Sequence, residues 1–176
     1  MADPDLERLM EELESHLFGK YRGKVVDNND PDKRGSVRVV VPAVMGEKQL
    51  WALPCVPYAG PDVGFFAIPP VDASVWVEFE NGERDRPIWT GCFWAAGEIP
   101  AADGTPDIAF FRTKGATIRI EESGTLEIET AGGAKITMTG TEITLEAPSI
   151  KHSANGGATE LSAGGFDAMN GALKVV

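Results

Sequence analysis

Between residues 115 and 150 the chain repeats one short phrase: two aliphatic residues with a polar residue between them, followed by a polar gap. The pairs are Ile118/Ile120, Leu126/Ile128, Ile136/Met138 and Ile143/Leu145, and Ile150 opens a fifth. Successive pairs begin 8, 10, 7 and 7 residues apart. Alternate side chains of a strand point to opposite sides, so each pair predicts a short strand with one apolar face. Thr, Gly and Glu fill the gaps and leave the other face wet. Such a ribbon contains no second apolar layer, and the obvious supplier of one is another copy of itself.

The pattern differs upstream. Over residues 1–18, Leu6, Leu9, Met10, Leu13 and Leu17 form one helical stripe, with Glu7, Glu11 and Glu14 opposite. Asp3 is placed as N-cap, Pro4 as the first helical residue and Gly19 as the stop. The stripe is expected to pack on the neighbouring domain or to dock a partner protein. Residues 19–97 read as strands at 21–26, 36–41, 50–56, 74–80 and 88–94, separated by turn clusters such as Asp27-Asn28-Asn29-Asp30-Pro31-Asp32. Five short strands suit a small closed barrel, because closure removes exposed edges. Residues 98–112 lose periodicity and read as a linker. Residues 113–153 hold the repeat, and 154–176 form a tail of unassigned structure.

Composition narrows the function classes. The 176 residues are 43% hydrophobic and 24% charged, with 20 Gly and 12 Pro, which favours β structure over helix. No apolar run approaches the ~20 residues of a membrane span, and the acidic start does not read as a signal peptide. The net charge of −11 is opposite to a nucleic-acid footprint. Cys55 and Cys92 lie in apolar runs and read as small buried hydrophobes. With His16 and His152 they make no metal set, so neither metal nor cofactor is expected.

Three stretches of the strand-rich region carry a family resemblance. The first is Gly23-Lys24-Val25-Val26-Asp27, leading through Asp30-Pro31 to Gly35-Ser36-Val37-Arg38-Val39. The second is Trp51-Ala52-Leu53-Pro54, with Pro57-Tyr58-Ala59-Gly60 and Gly64-Phe65. The third and most specific is Val75-Trp76-Val77-Glu78-Phe79-Glu80-Asn81-Gly82, then Asp85-Arg86-Pro87 and Gly91-Cys92. Together they resemble the OB-fold domain of central spike proteins from contractile tails: phage baseplate assembly protein V, the valine-glycine-repeat spikes of type VI secretion, and the spikes of extracellular contractile injection systems. The likeness is close over about 19–96 and architectural beyond it. The motif residues are Trp51, Pro57, Tyr58, Gly60, Phe79, Asn81, Gly82, Asp85, Arg86, Pro87 and Gly91. Asn81-Gly82 suits a reversal with positive φ. Pro87 suits entry to an edge strand, and Asp85 and Arg86 are placed to pair locally.

The resemblance implies a mainly β chain. A short N-terminal helix and an OB-fold barrel would precede a C-terminal intertwined trimeric β-helix, or prism. The interior of this homotrimer would be Ile118, Ile120, Leu126, Ile128, Ile136, Met138, Ile143, Leu145 and Ile150. Five levels ~4.8 Å apart make a prism roughly 24 Å long. The implied role is a structural spike at the front of the tail tube. A separate hub protein of the baseplate would dock on Leu6, Leu9, Met10, Leu13 and Leu17, and a conical tip protein would seat at the C-terminal end. Such a spike is assembled in the bacterial cytosol, becomes part of a virion baseplate or phage-tail-like particle, and meets a target membrane only during penetration. Large hub or hydrolase regions known in some relatives have no counterpart in the 18 residues before the barrel or in the segment after it.

Candidate chemistry is sparse, and the expectation is a non-enzyme. Glu78/Glu80, Glu121/Glu122 and Glu127/Glu129 read as solvated strand faces rather than acid–base pairs. His152 and Ser153 lack a nucleophile elbow. Gly132-Gly133, Gly156-Gly157 and Gly164-Gly165 read as turns, not phosphate loops. Trp51, Tyr58, Phe65, Phe66, Trp76, Trp89 and Trp94 are expected to serve barrel core and inter-subunit contact rather than base stacking. Two other classes stay open: an OB-fold polymer- or glycan-binding module on a trimeric stalk, and a cell-wall hydrolase.

Overall fold

A computed structural model describes residues 4–169 and 171–175, apart from the side chains of Pro4, Leu6, Glu12, Leu13 and Glu14. The proposed N-cap Asp3 and the side chains of Leu6 and Leu13 therefore lie outside the described residues. The chain divides into two compact units, Met1–Glu98 and Ile99–Val176.

The first unit begins with helix α1 (Pro4–Ser15). Strands β1 (Tyr21–Asp27), β2 (Val37–Val40), β3 (Gln49–Pro54), β6 (Ser74–Phe79) and β7 (Pro87–Phe93) follow. Between them lie a one-turn helix α2 (Pro42–Met45) and a small hairpin, β4 (Ala59–Gly60) with β5 (Val63–Gly64). The five longer strands close into a barrel in the order β1-β2-β3-β7-β6, antiparallel except where β3 runs parallel to β7. The alternation of valines explains the closure. Val25, Val37, Val39, Val41, Val75 and Val77 are fully buried, and Ala52, Phe79 and Trp89 complete the core. β-Branched side chains pack well on pleated surfaces. Trp89 buries its indole and donates its Nε1–H to Gly35 O at 3.2 Å. A Cβ on Gly23 would lie 2.9 Å from Val77 Cγ2, so this glycine lets β1 cross closely over the core.

Two expectations are corrected here. The helix stops at Ser15, not near Gly19, and Leu17 leaves the stripe. Leu17 donates its N–H to Gly82 O at 2.9 Å and is buried in the barrel core, because burying a leucine outweighs one more helical turn. Arg84 covers the helix end, donating to Ser15 O and Val44 O, which suits a cation beside C-terminal carbonyls. The cysteines are the second correction. Cys55 and Cys92 are free and exposed, since Cys55 follows β3 on its outer side and Cys92 lies beyond the register shift between β6 and β7.

The second unit is two antiparallel meanders. The first has five strands, β8 (Ile108–Arg112), β9 (Ala116–Glu121), β10 (Leu126–Thr130), β11 (Lys135–Met138) and β12 (Ile143–Glu146), paired in sequence order. The second has four, β13 (Ser149–Ala154), β14 (Gly157–Ser162), β15 (Gly165–Ala168) and β16 (Leu173–Val175). The expected linker thus ends in a strand. Its Ile108-Ala109-Phe110-Phe111 run hid the alternation, because Phe110 sits on the polar side beneath Arg112, whose guanidinium is 5.2 Å from the ring. Ile150 opens a separate sheet rather than a fifth level of the first. The unassigned tail is three ordered strands.

Candidate functional site

The pairing register of the first meander sets all its aliphatic pairs on one face. Ile120 faces Leu126, Ile118 faces Ile128, Leu126 faces Met138, Ile128 faces Ile136, and Met138 and Ile136 face Ile143 and Leu145. Phe111, opposite Ile118, extends the row. Of the nine expected interior residues, Ile118, Ile120, Ile128, Ile136, Met138, Ile143 and Leu145 are exposed in the single chain, and Leu126 and Ile150 are half-buried. The second meander repeats the arrangement. Ile150 faces Leu161, Leu161 faces Phe166, and Phe166 faces Val175. These large apolar side chains far exceed the scattered exposure normal for a monomer.

The opposite face of the first meander is an ion-pair lattice. Arg119 contacts Glu121 and lies 3.7 Å from Glu127, whose other oxygen is 2.6 Å from Lys135. Asp103 is buried and accepts from Arg112 at 2.8 Å and Arg119 at 3.2 Å, clamping the segment before β8 onto the sheet. A hydrogen bond from Ser123, then the Arg119 guanidinium, holds the Glu121 carboxyl below its ordinary value. A depressed carboxylate adds stability above its unfolded-state pKa and loses it as pH falls through the folded value, so this contribution is present at neutral pH and lost on acidification. Glu121 and Glu127 therefore do more than solvate the exterior. Asp103, Arg112, Arg119 and Lys135 escaped the sequence reading, although opposite charges alternating between the apolar pairs were a usable signal. Asp103→Ala leaves two guanidinium groups without their buried acceptor and is expected to destabilise the second unit by about 2 kcal/mol. Faster amide exchange across residues 99–112 would report it.

The barrel motif residues do structural work. After β6, a 3₁₀ turn (Glu80–Gly82) holds Asn81 at φ 54° and Gly82 at φ 77°, and Glu80 N–H donates to Arg86 O to close the reversal. Arg86 pairs with Glu83 at 3.0 Å and approaches Glu80 at 3.9 Å, rather than pairing with Asp85. Pro87 is buried at the first position of β7, a strand flanked on both sides, and is tolerated as an opening residue rather than on an edge. Phe79 packs edge-on against Tyr21 with centroids 5.6 Å apart. Gly91, at φ 144°, lies opposite Trp76 beside the register shift. Trp51 lies under Arg38. Pro57 and Tyr58 are exposed next to the hairpin that contains Gly60. Glu78 binds Lys20.

The loop after β1 is prebuilt by Asp30, whose carboxylate accepts N–H groups from Arg34, Asp32 and Ser36 at 2.7–3.0 Å. Burial pushes this carboxyl up, but the three backbone donors outweigh it and hold it below its ordinary value. Residues 21–94, this barrel with its loops, match the family model of the type VI secretion system/phage-baseplate injector OB domain. The barrel region is similar to that domain over this stretch. Comparison with curated proteins found no match to the chain. The match spans the closed barrel and ends before the one-sided meanders. Of the expected docking residues, Leu9 and Met10 are exposed on α1, while Leu17 is buried in the barrel core. Of the aromatics, Trp89 is core. Trp76 packs at a tilt against Phe93 beneath Arg22. Tyr58, Phe65, Phe66 and Trp94 are exposed. No group of His, Cys, Asp and Glu suited to a metal occurs among the described residues, and no described helix is long and apolar enough to cross a membrane.

Proposed function

We propose that the chain is a structural spike of a contractile injection machine, in which three copies wind or stack their apolar meander faces around a common axis. The observation that carries this reading is a sheet face of aligned, exposed aliphatics in the unit that follows, in sequence, a barrel matching the injector OB domain model. Three symmetry-related copies give each face the apolar layer it lacks. The ion-pair lattice and the acidic residues then form the outer surface. The spike joins a hub protein on the helix side, through Leu9 and Met10 with Leu6 and Leu13 of the same stripe, to a conical tip protein at the C-terminal end. Sheath contraction pushes it into the target envelope. Its task is to carry load, which hydrogen-bonded strands and cross-strand ion pairs resist, and no covalent step is assigned to it.

Native mass spectrometry tests the reading. The expected particle is about 56 kDa, three times the 18.8 kDa chain, and removal of residues 113–176 should release single barrels. A stable full-length monomer overturns it.

A further inference from the structure

The repeat that makes self-association favourable also makes its register ambiguous. Successive aliphatic pairs are near-identical, so chains displaced by one phrase still bury apolar against apolar. One level breaks the pattern. On the second meander, alternation sets His152 on the same face as Ile150, and Thr159 on the same face as Leu161. His152 and Thr159 face each other across β13 and β14, with the imidazole Nδ1 3.3 Å from Thr159 Oγ1. The neighbouring positions on this face are Ile150, Leu161, Phe166, Ala168, Leu173 and Val175. Lys151, Glu160, Asp167 and Lys174 lie on the other side. On the first meander Thr130 shares the apolar face, but its hydroxyl bonds to Ala134 within its own turn.

We infer that the His152–Thr159 pair is the register lock of the self-association face. The inference rests on the trimer reading. In register, the three pairs meet at one level, where imidazoles and hydroxyls satisfy one another's remaining donors and acceptors. Displaced by a phrase, each pair is pressed against aliphatic side chains and leaves buried polar atoms unmatched, which is far costlier than an apolar mismatch. A single polar level in an otherwise apolar seam selects register in the same way in coiled coils.

Thiol cross-linking of the full chain tests this in a Cys55→Ser, Cys92→Ser background. Chains carrying Ile143→Cys are co-assembled with chains carrying Ile136→Cys, one phrase earlier in the same sheet, and oxidised. With the lock intact, disulfides form between like positions, and mixed 136–143 links are at least tenfold rarer. In His152→Leu, Thr159→Val chains the particle mass is retained and mixed links rise to within twofold of like links. His152→Gln, Thr159→Ser, which keeps both polar groups, retains like links. A double apolar variant that still forms only like links overturns the lock, as does one that falls apart into single chains, because the pair would then provide cohesion rather than register. A parent that is monomeric before any change at 152 and 159 overturns the trimer reading and the lock together.

Discussion

Chains carrying Ile128→Asp and Ile136→Asp together are expected to run as single 18.8 kDa chains, not as the 56 kDa particle. The two residues face each other across β10 and β11, at the centre of the first meander's apolar face. In the proposed trimer the double change would bring six carboxylates to one level of the interior. Burying a carboxylate without a partner costs several kcal/mol, and like charges repel at short range, so the association free energy is overwhelmed. In the single chain the same side chains are exposed, so the meander itself keeps its strands. Circular dichroism should therefore change little while native mass falls threefold. Thr137→Asp is the control. It lies on the same strand between two of the apolar positions but points to the ion-pair side, opposite Glu127 and Thr144, and should leave the particle intact. A double variant that still assembles would show that the aliphatic face is not the contact between copies.

Gly82→Val is expected to lower the stability of the barrel unit by about 3–4 kcal/mol, a fall in Tm of at least 10 °C on the order expected for a domain of this size. Two causes act together. Gly82 has φ 77°, and a side chain in left-handed backbone costs about 1–2 kcal/mol. A Cβ there would also lie 2.9 Å from His16 Cβ and 3.1 Å from Phe18 Cε1. The segment that hydrogen-bonds Leu17 to Gly82 O must then move away, and withdrawing Leu17 from the core costs a further ~1.5–3 kcal/mol. Gly82→Ala should show a smaller loss of the same kind. Gly140→Ala, where a Cβ meets nothing within 4 Å and φ is not positive, should be close to neutral. Equal effects at the two sites would overturn this account of why glycine occupies the motif position.

Several misreadings share one cause. Leu17 fits the helical stripe by spacing, yet the barrel claims it, because a core vacancy is a tertiary fact with no local signature. Cys55 and Cys92 sit in apolar runs, yet strand phase and a register shift put both outside. Asp103 stands in a segment of small residues and turns, and nothing local marks it as the acceptor for Arg112 and Arg119. The tail escaped because Thr159, Ala168 and His152 occupy places in a phrase that is aliphatic elsewhere, so the period survived while its composition changed.

The sequence by itself determined the alternation in the barrel strands, the reversal at Asn81-Gly82, the one-sided character of the repeat and the kinship of the barrel region. These are local patterns of period two and local dihedral needs, and they are written residue by residue. Only the tertiary structure decided which strands share a sheet, where the repeat breaks between Glu146 and Ser149, that the polar side of the first meander is an ion-pair lattice pinned by Asp103, and that His152 faces Thr159 among aliphatics. Those depend on register between segments distant in the chain, and a one-residue slip, invisible in the sequence, would exchange the two faces of a strand.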